Sequence, residues 1–544
     1  MMEAAINHDT FARDHLPPED LWPLMTYPEG SVFDYPDRLN CAVELLDKMV
    51  AAGHGGNPLI HTADGAWSYA GFLDRVNRIA HVLVDDFGLI PGNRVLLRGP
   101  NTPMLAAVWF AVVKAGGICV ATMPLLRASE LSYIVEKAQI HLALCDARWD
   151  EEIVNTQQAA PRLTTIRYFN TDADDSLEQR MAGKPATFEP VDTAADDVVL
   201  IAFTSGTTGK AKATMHFHRD VMAICDAFPR STLKPEATDV FCGSPPLAFT
   251  FGLGGLLLFP MRFGASTVFI EKPSAEGLMR LIEAYRVTIC FTSPTAYRGM
   301  LDYVDACDIG SLRTCVSAGE PLPAPTFFAW RDATGIRIID GIGATEMLHI
   351  FISATEDAMR PGATGKPIAG YEAKVVDNDG NPVPPGTVGL LAVRGPTGCR
   401  YLDDPGRQQA YVRDGWNYTG DAYLVDDDGY FHFQARADDM IISSGYNISG
   451  IEVESALLKH PAVKDCGVVG APDARRGHIV KAYIVLRNPD DACDALVKEL
   501  QDFVKGEIAP YKYPRAIAFR DALPRTQTGK VQRFKLREEA GREA

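Results

Sequence analysis

No apolar run in this chain is long enough to cross a bilayer. The most apolar stretch, Gly252 to Met261, holds three glycines and a proline and falls far short of the roughly 20 residues that a spanning helix needs. Basic charge is scarce: 53 Lys and Arg stand against 70 Asp and Glu, a net −17. That deficit excludes the broad basic surface on which nucleic-acid or anionic-membrane binding depends. The first residues lack a basic segment running into an apolar one, so no secretory signal is expected and the chain reads as cytoplasmic. Eleven cysteines are scattered singly, without a Cys-x-x-Cys pair, which suits reduced core thiols rather than disulfides or structural zinc. Missing too are the Gly-x-Ser-x-Gly elbow and the Gly-x-Gly-x-x-Gly fingerprint, which weakens serine-hydrolase and dinucleotide readings.

What is present is ordinary in composition, 47% hydrophobic and 23% charged over 544 residues. That length exceeds one hydrophobic core, so at least two domains are expected. After an extended lead-in and a helix near Leu39–Ala52, strands and helices alternate. Helical spacing runs over 68–83, 103–115 and 131–138, and short apolar runs over 94–98, 117–121 and 141–145 read as strands. This rhythm predicts α/β layers built on largely parallel sheets. Residues 170–197 are acidic and read as surface linkage. From Gly362 onward, turn signals such as Asp-Asn-Asp-Gly-Asn-Pro predict a small β-rich subdomain. A charge cluster and glycine turn near 434–450 then mark a boundary. We divide the chain into 1–437, a large domain with its β-rich subdomain, and 438–544, a small α+β domain.

The chemistry concentrates in loops after strands. The run 197–203 reads as a buried strand that breaks into Thr204, Ser205, Gly206, Thr207, Thr208, Gly209 and Lys210. Glycines permit a tight turn, and N–H groups, hydroxyls and an ammonium together can hold a polyphosphate. A solvated turn is the plain alternative. The P-loop template fails, because Thr204 stands at its first glycine position and Ala211 follows the lysine. His216-Phe-His218 opens an expected helix to Phe228, and two histidines at i, i+2 do not share a helix face, so they are not a metal pair. In 246–255, aromatics beside glycines suit either a flat slot or core packing. Two further loops follow strands: one ends in Ala318, Gly319 and Glu320, the other runs from Asp340 to Thr345 and Glu346. Ligand crevices lie outside the carboxyl ends of parallel strands, so these loops should converge. Glu346 offers a carboxylate to Mg2+, which prefers oxygen ligands. Asp421 could accept from vicinal ribose hydroxyls or be a turn aspartate. Lys530 sits on a glycine turn among arginines.

In this order, Thr-Ser-Gly-Thr-Thr-Gly-Lys, Gly-Ala-Thr-Glu, Tyr-Thr-Gly-Asp, Arg-Ala-Asp-Asp and Pro-Arg-Thr-Gln-Thr-Gly-Lys resemble the adenylate-forming enzymes from about residue 60 to 535. Within that superfamily, 248–254 and 345–351 resemble benzoate- and 2-aminobenzoate-CoA ligases. The resemblance implies that Thr204 to Lys210 hold the phosphates of ATP. Ala318, Gly319, Glu320 and Asp340 would line the adenine, and Asp421 with Arg436 would bind ribose. Thr345 would meet the α-phosphate, Glu346 would ligate Mg2+, Asp438 would be a hinge, and Lys530 the mobile catalytic cation. Gly445 would line a pantetheine tunnel for coenzyme A. Thr250, Phe251, Gly343, His349 and Ile350 would form the aryl slot. Ile342 departs from the family, which often carries an adenine-stacking aromatic there. The implied reaction is ATP-dependent activation of an aromatic acid, 2-aminobenzoate or benzoate, then transfer to CoA. The alternative is a stand-alone adenylation enzyme loading a carrier protein. A homodimer is compatible with either.

Overall fold

Two parallel-rich sheets form the body of the N-terminal part in this computed structural model. It describes residues 8–28, 30–204, 211–436, 439–443, 446–473, 476–508, 510–525 and 531–543. The first sheet runs, in spatial order, Thr165–Phe169, Leu142–Asp146, Arg94–Arg98, Ile118–Thr122, Val198–Thr204 and Lys212–Phe217. Its strands are parallel except the last, which pairs antiparallel with Val198–Thr204. The second has nine strands. Its central run, Ser266–Val268, Val240–Gly243, Ile289–Thr292, Thr314–Ala318 and Ile338–Gly343, is parallel. Antiparallel pairs close both ends, with Ile350–Ser353 folding back beside Ile338–Gly343.

The residues dictate this layering. Arg94–Arg98 and Leu142–Asp146 are buried at every position, as strands covered on both faces must be. Helix Pro103–Lys114 is apolar around its circumference and buried from Met104 onward, starting where the Thr102 hydroxyl accepts from the Leu105 N–H and proline occupies the first turn. Such a helix belongs between layers, not on a surface.

The turn-rich segment forms the expected antiparallel sheet, with Glu372–Val376, Gly389–Arg394, Trp416–Val425 and Phe431–Arg436 in sequence. Its first hairpin closes because Asp377 Oδ1 accepts from the N–H groups of Asp379 and Asn381 while Gly380 takes φ +87°, the left-handed region that glycine enters without strain. The C-terminal residues build a separate sheet from Ile441–Ser443, Tyr446–Ile448, Val463–Asp473, Gly477–Leu486 and Ala516–Phe519. Helices Gly450–Leu457 and Asp494–Glu507 close a core of their own around Val453, Val468, Ile484 and Leu500. The fold is therefore mixed α/β with a β-rich sheet and a small C-terminal α+β unit.

Two expectations need correction. His216 does not open a helix. It lies in strand Lys212–Phe217, and the helix begins at His218. Antiparallel pairing with Val198–Thr204 captures His216 and its neighbours Thr214 and Phe217 in the ladder, overriding local propensity. Nor is 170–197 mere surface linkage: helix Leu177–Ala182 forms there, and Ser176, Leu177, Thr193 and Ala195 are buried. Acidic composition hid the few anchors that matter. All eleven cysteines are free, ten of them buried. Among the described residues, no helix is long and apolar enough to cross a membrane.

Candidate active site

The carboxyl ends of Thr314–Ala318 and Ile338–Gly343 bring two of the expected loops side by side. Ala318 pairs with Gly341, and Ser317 with Asp340. Gly319 turns the chain at φ +88°. Asp340 is buried, and its Oδ1 lacks a hydrogen-bond partner. Burial pushes this carboxyl up to about 7, with the backbone N–H groups of Gly341 and Leu322 offsetting part of the effect. The Ser317 hydroxyl faces Asp340 across the strands but lies outside hydrogen-bond geometry. The Glu320 side chain turns elsewhere. It accepts from the Thr295 hydroxyl at 2.7 Å and meets Arg525 of the C-terminal unit at 3.4 Å. Any contact it makes with a purine therefore falls to its backbone.

Thr345–Met347 forms a single 3-10 turn just beyond Gly343, held from two directions. His216 Nε2 meets the Thr345 carbonyl oxygen at 2.8 Å, and the Tyr401 hydroxyl donates to Glu346 Oε1 at 2.6 Å. Behind His216 stand Asp220, 3.8 Å from its Nδ1, and the buried Arg400, which donates to Asp220 Oδ2 at 2.8 Å. Arg400 also lies over the Phe217 ring at 3.9 Å. The Arg400 guanidinium and the N–H of Phe217 hold the Asp220 carboxyl below its ordinary range against the upward pull of burial.

Thr204 ends its strand opposite Lys212, and the Lys212 ammonium lies 5.8 Å from the Tyr401 ring centre. The end of strand Val198–Thr204 thus borders the Thr345–Glu346 turn. Ser205, Gly206, Thr207, Thr208, Gly209 and Lys210 lie outside the described residues, as do Asp438, Gly445 and Lys530. Asp421 and Arg436 meet in an ion pair at 3.0 Å on adjacent strands. The buried Tyr411 hydroxyl stands in the fields of Glu346, Asp421 and Arg436, which sets the Asp421–Arg436 pair near the turn.

The aryl residues also converge. His349 is 2% exposed and caged by aromatic rings, with centroids 4.5 Å from Phe259, 5.7 Å from Phe251 and 5.9 Å from Phe228. Phe251 lies against Phe291 at 5.6 Å. Burial drives the His349 imidazole down to about 3, so it is neutral, and neither ring nitrogen meets a hydrogen-bond partner. The Phe251 backbone faces the ring and opposes that shift without reaching hydrogen-bond geometry. Gly343 pairs with Ile350, and a side chain on Gly343 would strike the His349 carbonyl oxygen at 2.8 Å. Thr250 opens the short helix Thr250–Leu253. That helix rests on bare backbone, since a Cβ on Gly252 would fall 2.1 Å from the Pro246 carbonyl oxygen.

Sequence reasoning passed over several supports. Asn101 grips the loop ahead of the aryl helix, donating to the Pro245 carbonyl at 2.9 Å while accepting from the Leu247 N–H at 2.7 Å. Its position before Thr-Pro reads only as a helix start. Tyr401, Arg400 and Asp220 carried no motif, because their partners lie 55 and 180 residues away.

The expected Mg2+ fits one part of this arrangement. Among the described residues no group of three His, Cys, Asp or Glu could hold a metal. A lone carboxylate at Glu346 accords with magnesium, which takes few protein ligands when phosphate oxygens supply the rest.

Comparison with known proteins agrees with this geometry. Residues 48–400 match the AMP-binding enzyme family, and 452–530 match its C-terminal domain. The chain is 35% identical to the benzoate–CoA ligase of Thauera aromatica, over 92% of this chain and 96% of that protein. It is 31% identical to a 3-hydroxybenzoate–CoA ligase of Aromatoleum sp. (strain CIB), covering 93% and 98%. Its fold is similar to the crystal structure of an anthranilate CoA ligase in complex with anthranoyl-AMP, with a TM-score of 0.89 at 33% identity, covering 94% of this chain and 99% of that one. A benzoate CoA ligase from Burkholderia xenovorans LB400 aligns with a TM-score of 0.84 at 30% identity, covering 92% and 100%. The chain belongs to the AMP-binding enzyme family, whose N-terminal and C-terminal parts it carries in order.

Proposed function

We propose that this protein is an AMP-forming aryl-CoA ligase whose acid is 2-aminobenzoate or benzoate. The observation that carries this reading is the closed aromatic cage holding a neutral His349 with both ring nitrogens unpaired. Walls of this kind suit the face of a flat ring and disfavour a zwitterionic amino acid, whose charges would lose their hydration there. The similar ligase that holds anthranoyl-AMP supports an aromatic acid of this size.

In this reading Thr204 to Lys210 hold the ATP phosphates, and Ala318, Gly319, Asp340 and the Glu320 backbone border the adenine. Asp421 and Arg436 take the ribose. Magnesium, when bound at Glu346, supplies charge neutralisation to the phosphates. The aryl carboxylate attacks the α-phosphorus in line and the bond to pyrophosphate breaks, giving aryl-AMP. Lys530 stabilises the charge that builds on the reacting oxygens, and Thr345 meets the α-phosphate. The apolar cage keeps water from the mixed anhydride. CoA thiolate then attacks the carbonyl carbon and AMP leaves. Lys530 has no work in that step, so residues 438–544 turn about Asp438 and present Gly445 to the pantetheine arm.

The test is pyrophosphate release over a panel of benzoates, fatty acids and amino acids, with thioester measured on free CoA. Benzoate and 2-aminobenzoate should lead. Turnover led by a fatty or amino acid would refute the aryl assignment, and transfer only to a carrier protein would refute the CoA assignment.

A further inference from the structure

Glu346 is nearly buried, yet among the described residues no Lys or Arg pairs with its carboxylate. Its hydrogen-bond partner is a neutral phenol, the Tyr401 hydroxyl, at 2.6 Å from Oε1. The second oxygen, Oε2, makes no hydrogen bond among the described residues. A cationic partner would neutralise the carboxylate and compete with any metal ion. A phenol donates one hydrogen bond, fixes the rotamer and leaves the full negative charge in place.

Tyr401 is built to hold that hydroxyl still. Residues 400–402 add as an extra strand beside Lys212–Phe217: the Met215 N–H donates to the Arg400 carbonyl at 2.8 Å, and the Leu402 N–H to the Ala213 carbonyl at 2.9 Å. The Tyr401 N–H donates to Oε1 of the fully buried Gln408 at 2.9 Å. Gln408 is itself anchored on the carbonyls of Cys399 and Leu21, both at 2.9 Å. The ring packs edge-on to Tyr411 at 5.8 Å and is 1% exposed. Every backbone and ring contact therefore fixes where the hydroxyl lies before any ligand arrives.

We propose that Tyr401 is a positioning residue that locks the Glu346 carboxylate through Oε1 and thereby presents Oε2 to the divalent cation of the nucleotide. The inference rests on the assignment of Glu346 as the metal ligand given above. Partners that orient a ligating carboxylate usually contribute about 10–100-fold in metal affinity or activity.

Tyr401→Phe removes the hydroxyl and keeps the ring. With Mn2+ and α,β-methylene-ATP as probes, Mn2+ affinity read by electron paramagnetic resonance should fall by roughly tenfold or more. The Mg2+ concentration for half-maximal pyrophosphate release with benzoate should rise by a similar factor. Thioester formation from synthetic benzoyl-AMP should be spared, which a merely structural lesion would not allow. Glu346→Gln, run in parallel, separates the two assignments. If it loses Mn2+ affinity while Tyr401→Phe does not, the inference falls and the role of Glu346 stands. If neither loses it, the Glu346 assignment falls and takes the inference with it. Should Tyr401→Phe not fold, 3-fluorotyrosine at position 401 keeps the hydroxyl. Its fluorine resonance should then shift when Mg2+ is added to the ATP complex, and an unmoved resonance would overturn the proposal.

Discussion

At the scale of single residues, Asp340 gives a pH signature. Its ordinary value of 3.8 rises to about 7 on burial. Below about pH 4 the folded and unfolded chains both hold the proton. Between about 4 and 7 only the folded chain holds it, so stability falls as pH rises, and above about 7 both have released it. Asp340→Asn cannot titrate. Its melting temperature should therefore gain on that of the parent from pH 4 to 7, then run parallel above 7. Parallel curves throughout would show that the carboxyl is not neutral in the fold. The aryl slot gives a second test. In the proposed slot Thr250 and the unpaired His349 would be the polar groups, and a neutral hydrogen bond contributes about 0.5–1.5 kcal/mol. Thr250→Ala or His349→Ala should lower kcat/KM for 2-aminobenzoate relative to benzoate by up to about tenfold. A ratio unchanged in both variants would leave benzoate as the better substrate assignment.

At the scale of elements, the segment from Thr250 to Leu258 is shaped by what its glycines allow. A Cβ on Gly254 would fall 2.5 Å from His349 Cδ2, and one on Gly255 would fall 2.6 Å from the Phe291 ring. These helical turns lie directly on aromatic faces. His349 cannot swing aside, since Phe228, Phe251 and Phe259 surround it. Gly254→Ala should cost about 1–3 kcal/mol of stability, as overpacked cores do. It should also raise KM for benzoate while leaving KM for ATP alone. Equal KM values for benzoate in variant and parent would mean that His349 does not border the bound acid.

At the scale of the molecule, the two halves meet through charge. Arg525 reaches Thr295 at 3.2 Å and Glu320 at 3.4 Å from the C-terminal side, and Arg298 returns to Asp465 at 3.2 Å. The charged side chains are mostly buried, 13–23% exposed, and in the domain rotation proposed above these contacts would part during turnover. Lys530→Ala should lose adenylate formation by several orders of magnitude and spare thioester formation from synthetic aryl-AMP. Equal loss in both half-reactions would rule out two working arrangements of the halves. Gly445→Leu should do the reverse, keeping pyrophosphate release while CoA transfer fails. Unchanged CoA transfer would show that the pantetheine arm runs elsewhere.

Local pattern sufficed for much of this. The strand Val198–Thr204, the alternation of helix and strand and the turn-rich sheet were legible because each depends on neighbours within a few positions. The Gly-Ala-Thr-Glu motif that contains Thr345 and Glu346 was legible in the same way. What holds that pair could not be read so. His216 becomes a strand residue only when Lys212–Phe217 pairs with Val198–Thr204. Glu320 meets Arg525 only across the contact with the C-terminal unit. Tyr401 reaches Glu346 across 55 residues, and Asn101 grips Pro245 across 144. Contacts of that span leave no periodicity in the chain, because the partners' spacing is set by layer packing and not by helix or strand repeat. The sequence by itself determined the family's motifs and their order along the chain. Tertiary structure alone decided which neutral and charged neighbours hold them in place.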